Sequence, residues 1–178
     1  MTDSPDATSG ALGIVLDAHT IRFERLLPGP IERVWSYLTD PERLATWLNR
    51  GEIPSEVGAE FRWSWNCEDE KPGGELRGRT RVYDPPHVLE YDWIETTAPG
   101  GPIRDSYVRF ELQPQGDRVL LTLTHRALPA DAFTTVAAGW HAHLDTLVAT
   151  VSGIDGPDAD TRYETLRPRY EALARDTT

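Results

Sequence analysis

Between Glu60 and Arg126 the chain alternates apolar and polar residues with period two in five successive segments, and no other feature limits its fold so tightly. In 60–66, Phe61, Trp63 and Trp65 alternate with Arg62 and Ser64; in 75–83, Arg77, Arg79 and Arg81 alternate with Gly78, Thr80 and Val82. In 88–94, Leu89, Tyr91 and Trp93 stand against Glu90 and Asp92, and in 106–112, Val108, Phe110 and Leu112 stand against Arg109 and Glu111. The fifth segment sets Val119, Leu121, Leu123 and His125 against Leu120, Thr122, Thr124 and Arg126. Side chains of a strand point alternately to its two faces, so this pattern predicts an antiparallel meander with one face buried. Turn residues separate the segments, notably Asp84-Pro85-Pro86 and Gln115-Gly116-Asp117.

The buried face needs a cover, and the chain supplies one. From about Asp131 to Ser152, Phe133, Val136, Trp140, Leu144, Leu147 and Val151 recur at helical spacing, and Gly153 follows as a C-cap. Such a helix is about 30 Å long and buries its stripe against the apolar sheet face. Upstream, 11–16 and 20–27 flank the turn Asp17-Ala18-His19 and read as a hairpin. Two short helices follow it. The first starts near Pro30 and carries Val34, Trp35 and Leu38; the second has Asp40 as N-cap, Pro41 at its first position and Leu44, Trp47 and Leu48 on its apolar side. The fold class is therefore α+β: a curved antiparallel sheet wrapped around a long C-terminal helix, the helix-grip arrangement. Residues 1–10 have the composition of a disordered tail, 11–153 form the domain, and 154–178 form an extension with a short helix near 162–175. That helix packs through Tyr163, Leu166, Tyr170 and Leu173, either on its own domain or on a second copy in a homodimer.

Composition narrows the function. The chain has 178 residues and a formal charge of −11, which argues against nucleic acid or an anionic membrane as main partner. Lone Cys67 excludes an internal disulfide and a multi-cysteine zinc site, and its acidic surroundings disfavour a nucleophilic thiolate. No signal peptide and no apolar run of spanning length is visible, so a cytoplasmic location is expected. Phosphate-binding loops, dinucleotide fingerprints and nucleophile elbows are absent, so no cofactor is expected.

The order and spacing of several motifs resemble a known family. They are the stretch from Ile21 to Trp35, the stretch from Leu38 to Trp47, Val57-Gly58, the stretch from Asp84 to Trp93, Leu121 to His125, and Gly139-Trp140. Together they resemble the START-like, or SRPBCC, superfamily, and within it the activator of heat-shock protein 90 ATPase homologue-like family. The preceding hairpin and tyrosine-bearing tail are similar to a bacterial single-domain subgroup. The resemblance implies the helix-grip fold. It leaves the activity open, because relatives in the superfamily bind lipids, hormones and polyketides in a cavity, and some are cyclases or aromatases.

Site candidates follow from the apolar face. Trp47, Trp63, Trp65, Tyr91, Trp93 and Trp140 are placed to line a cavity for a flat or greasy molecule, and His125 closes the same face. Packing of the core is the competing role for these rings, and a structural hydrogen bond is the competing role for His125. Arg25 shares its strand face with Phe23 and Leu27 and requires an internal acid or a ligand carboxylate. Arg77, Arg79 and Arg81 are expected to pair across strands with Glu90, Asp92 or Glu111. His141 and His143 point about 200° apart on a helix and cannot share a metal. The expected function is binding of a small hydrophobic or aromatic molecule without catalysis. A cyclase-, aromatase- or hydrolase-type enzyme with His125 as acid/base is the alternative, and an interaction module with a chaperone partner is the third reading.

Overall fold

The computed structural model describes residues 11–64, 74–96 and 103–176. Seven strands, β1 (Ile14–Asp17), β2 (Thr20–Pro28), β3 (Glu60–Ser64), β4 (Glu75–Asp84), β5 (Val88–Glu95), β6 (Ile103–Gln115) and β7 (Arg118–Arg126), form one curved antiparallel sheet in the order β1-β2-β7-β6-β5-β4-β3. Four helices accompany it: α1 (Ile31–Thr39), α2 (Pro41–Leu44), α3 (Phe133–Ser152) and α4 (Ala159–Asp176). The tail 1–10, together with Trp65 and Cys67, lies outside the described residues.

The alternation does what the period demands. Leu89, Tyr91 and Trp93 of β5, Val108 and Phe110 of β6, and Leu121, Leu123 and His125 of β7 are all buried on one face. Asp40 caps α2 through its carboxylate, which accepts from the backbone N–H groups of Glu42 and Arg43. That helix closes after one turn, so Trp47 and Leu48 reach the core from the irregular chain beyond it rather than from a helical face. Gly153 terminates α3 with φ 69°, a left-handed conformation that a side chain would disfavour.

The outer face of the sheet carries the charges, with pairings that differ from those expected. Only Arg81 takes one of the three anticipated acids, Asp92, while also stacking over Tyr107. Arg79 pairs with Glu60 and Arg77 with Glu75, because the register sets Glu60 opposite Arg79 and Glu75 two positions from Arg77 on one face. Glu90 and Glu111 are held instead by Arg109, which lies directly opposite Glu90.

The extension past Gly153 joins the core. Its helix starts three residues earlier than expected and lies along α3, with Leu166 and Tyr170 fully buried. Tyr170 of this second cover bonds to His141, and α3 buries Ala137, Ala138 and Ala142 as well as its predicted stripe, in which Val136 is only half-buried.

Candidate functional site

Strand parity brings the predicted side chains together. Tyr91 and Trp93 come from β5 and His125 from β7; Trp63 comes from β3, and Trp140 descends onto them from α3. Trp93 and Trp140 have ring centroids 4.8 Å apart, and Trp140 also meets Phe110 edge-on at 5.9 Å. Phe110 stacks on Tyr91 at 6.1 Å, and Tyr91 meets Trp63 at 6.0 Å and Phe61 at 5.6 Å. Trp47 joins through Phe110, while its indole N–H donates to the carbonyl of Tyr37. Six of the seven predicted residues thus belong to one continuous aromatic cluster, and Trp65, the seventh, lies outside the described residues. Trp35 sits apart, against Tyr83.

Two rings rest on bare backbone. A Cβ at Gly51 would stand 2.1 Å from the indole of Trp63, and one at Gly78 would stand 2.2 Å from the ring of Phe61. Glycine at these positions lets the aromatic side chains of β3 lie flat against their neighbours. Phe61 and Phe110 were legible as apolar-face residues, and the ring contacts show them to be members of the cluster.

His125 has both ring nitrogens engaged. The indole N–H of Trp140 donates to Nδ1 at 2.8 Å. An acceptor Nδ1 leaves the hydrogen on Nε2, which donates to the hydroxyl of Ser106 at 3.0 Å. Ser106 in turn donates to the backbone carbonyl of Trp93 at 2.5 Å. Burial holds the imidazole neutral, down to about 3. A group so placed is a poor proton shuttle near neutral pH, since its basic lone pair is already occupied and its acid form is strongly disfavoured. Ser106 was missed in the sequence, although its parity with Val108, Phe110 and Leu112 placed it on the buried face. Two non-glycine residues with left-handed backbone flank this relay, Asp105 at φ 57° and Ala127 at φ 58°.

Tyr91 differs from the other polar members. Its hydroxyl is buried and has no hydrogen-bond partner, and desolvation raises its pKa so that the group stays protonated. Nearby, burial raises the carboxyl of Glu95, with a hydrogen bond from Trp93 acting the other way. Among the described residues no group of histidine, cysteine and acidic side chains has metal-binding geometry, and no helix is long and apolar enough to cross a membrane.

Comparison with known proteins places this geometry. The family described as activator of Hsp90 ATPase homolog 1-like protein matches residues 28–152. No curated protein matches the chain. Among solved structures, the product of gene BPP1335 from Bordetella parapertussis is 36% identical, with 96% of this chain and 94% of that chain covered and a TM-score of 0.71. CalU16 from Micromonospora echinospora is 24% identical over 87% of this chain and 88% of its own, with a TM-score of 0.67. DynU16, a protein in the dynemicin biosynthetic locus, is 20% identical, with 75% of this chain and 47% of that chain covered and a TM-score of 0.63. The last two share the fold.

Proposed function

The chain belongs to the family of activator of Hsp90 ATPase homolog 1-like proteins and has a START-like fold, and we propose that it binds, between sheet and helix, a flat, apolar small molecule carrying a hydrogen-bond acceptor. The observation that carries this reading is the Tyr91 hydroxyl, buried among aromatic rings without a partner. An unpaired hydroxyl in such a place costs about 1–3 kcal/mol. A ligand oxygen would recover that cost, and the surrounding rings of Trp63, Trp93, Phe110 and Trp140 offer faces and edges to a planar body. The rings of β3 would yield to admit it, since β3 is a terminal strand and each of its rings rests on a glycine on one side. With His125 bonded on both sides, no acid/base group of the cluster supports turnover, so the reading is a binding protein rather than an enzyme.

The test is a fluorescence titration with paired planar compounds, for example anthraquinone derivatives against the carbonyl-free hydrocarbon. Saturable quenching of tryptophan emission is expected for both. Tyr91→Phe should weaken the carbonyl compound about five- to tenfold, the worth of one hydrogen bond, and leave the hydrocarbon unchanged. No saturable quenching by any compound of a broad aromatic and lipid panel would refute the proposal.

A further inference from the structure

A second polar assembly lies where α4 covers α3, and it is built from four separated segments. The Tyr170 hydroxyl of α4 accepts from the backbone N–H of Gly13 at 2.8 Å and lies 2.9 Å from Nδ1 of His141 on α3. The acceptor in reach of the hydroxyl hydrogen is that Nδ1, so Tyr170 donates to it. His141 is then neutral, with its hydrogen on Nε2, 3.5 Å from Oδ2 of Asp145 one turn along. Asp145 is shared further, with Nε of Arg162 at 2.7 Å from α4 and Nη2 of Arg25 at 3.5 Å from β2. His141 and Tyr170 are fully buried, and both meet the ring of Phe23 edge-on.

We propose that α4 is a strap latched by the Tyr170–His141 hydrogen bond and released when His141 takes up a proton in mildly acidic conditions. A proton on Nδ1 turns the acceptor into a donor, and the buried tyrosine hydrogen is left with nowhere to go. It also adds a positive charge beside Arg25 from β2 and Arg162 and Arg169 from α4, facing the single carboxylate of Asp145. Burial and these arginines outweigh Asp145 and hold the imidazole down to about 4 in the latched state. Once α4 lifts, the ring meets water and regains its ordinary value of 6.5.

The strap can lift alone. Among its described side chains only Leu166 and Tyr170 are fully buried, with Tyr163 and Leu173 half-buried, Pro168 interrupts its backbone hydrogen bonding, and the family match ends at residue 152, before it begins. Lifting it uncovers the Phe23 ring and the Arg25–Asp145 pair and leaves the seven-stranded sheet paired.

Amide hydrogen exchange of the full chain from pH 7 to 4.5, corrected for intrinsic rate, tests this. Protection of α4 is expected to fall about tenfold per pH unit below about 6.5, one proton's worth of linkage, while β5, β6 and β7 stay protected. His141→Gln, whose amide oxygen can still accept from Tyr170 and which does not titrate, should flatten that slope. The proposal is overturned if α4 protection is constant with pH, if it falls together with the sheet, or if the glutamine variant keeps the slope. Should that variant fail to fold, the ring resonances of His141 in the unaltered protein decide. They must titrate together with α4 release, and a protonated His141 under a still-protected α4 sinks the latch.

Discussion

The indole N–H of Trp140 lies 2.8 Å from Nδ1 of His125, and this one contact decides what the histidine can do. It fixes the tautomer, occupies the basic lone pair, and hands the remaining hydrogen to Ser106. A residue that reads in the sequence as a potential acid/base is in the fold the middle of a closed relay.

Trp140→Phe should therefore cost more than a lost methylene-scale contact. It removes the donor, leaves Nδ1 buried without a partner and opens a void, together about 2–4 kcal/mol. Combining it with His125→Leu, which removes the stranded acceptor, should cost at least about 1 kcal/mol less than the two single losses added. Urea unfolding of the four proteins measures this, and strict additivity would show that the bond does not matter.

Tyr91→Phe should leave the unliganded protein as stable as the parent or raise its stability by up to about 1–2 kcal/mol. The hydroxyl makes no bond to lose, since it has no partner in the fold. A clear destabilisation in thermal or urea unfolding would mean that the hydroxyl is in fact satisfied.

Asp145 balances Arg25 and Arg162, lies beside the neutral His141, and has a side chain only 10% exposed. Asp145→Ala leaves a buried guanidinium uncompensated and should cost about 3–5 kcal/mol. Adding Arg25→Met, which replaces the stranded charge with an apolar stem, should restore part of that loss. If the double variant is no better than the single one, the Arg25–Asp145 pair is not the source of the penalty.

Ala127 sits at φ 58° beside the end of β7. Glycine pays no Cβ penalty there, so Ala127→Gly should stabilise by about 1 kcal/mol, against the usual direction of alanine-to-glycine changes. Differential scanning calorimetry reads the sign directly.

Global stability should fall as pH drops below 6.5. His125 is held to about 3 in the fold against 6.5 when free, so the unfolded chain binds a proton that the folded one refuses. The histidine's contribution is intact above pH 6.5 and is lost progressively as pH drops toward 3, by about 1.4 kcal/mol per unit within that window. Urea midpoints at pH 8, 6 and 5 should decline accordingly, and His125→Gln should decline less steeply. Equal slopes would remove His125 from the account.

The sheet and α3 were legible because each buries one face, and a buried face writes its period into the sequence. The N-cap at Asp40, the C-cap at Gly153 and the aromatic face of β5 all follow from local chemistry. What local chemistry could not supply was the identity of partners distant in sequence. Arg25 demanded an acid, but Asp145 is on an element met much later. Parity alone could have flagged Ser106, yet a lone serine near a strand end carries little weight until His125 is seen opposite Val108, two positions along. Arg81 took an expected acid, but Arg79 went to Glu60 because β3 set the register opposite it, and a short strand between loops gives a weak register signal; Arg77 went to Glu75 two positions along its own strand.

The pairing of β2 with β7, in which Ile21 meets His125, has a consequence for how the molecule is made. The hairpin that leaves the ribosome early must wait for nearly the whole sheet before its second strand is covered. Trp140 and Tyr170, which fix the protonation of His125 and His141, are translated later still. A chain part-way through synthesis thus carries both histidines at their solution basicity. The acid sensitivity that these two buried imidazoles impose on the fold therefore arises only once Trp140 and α4 are in place.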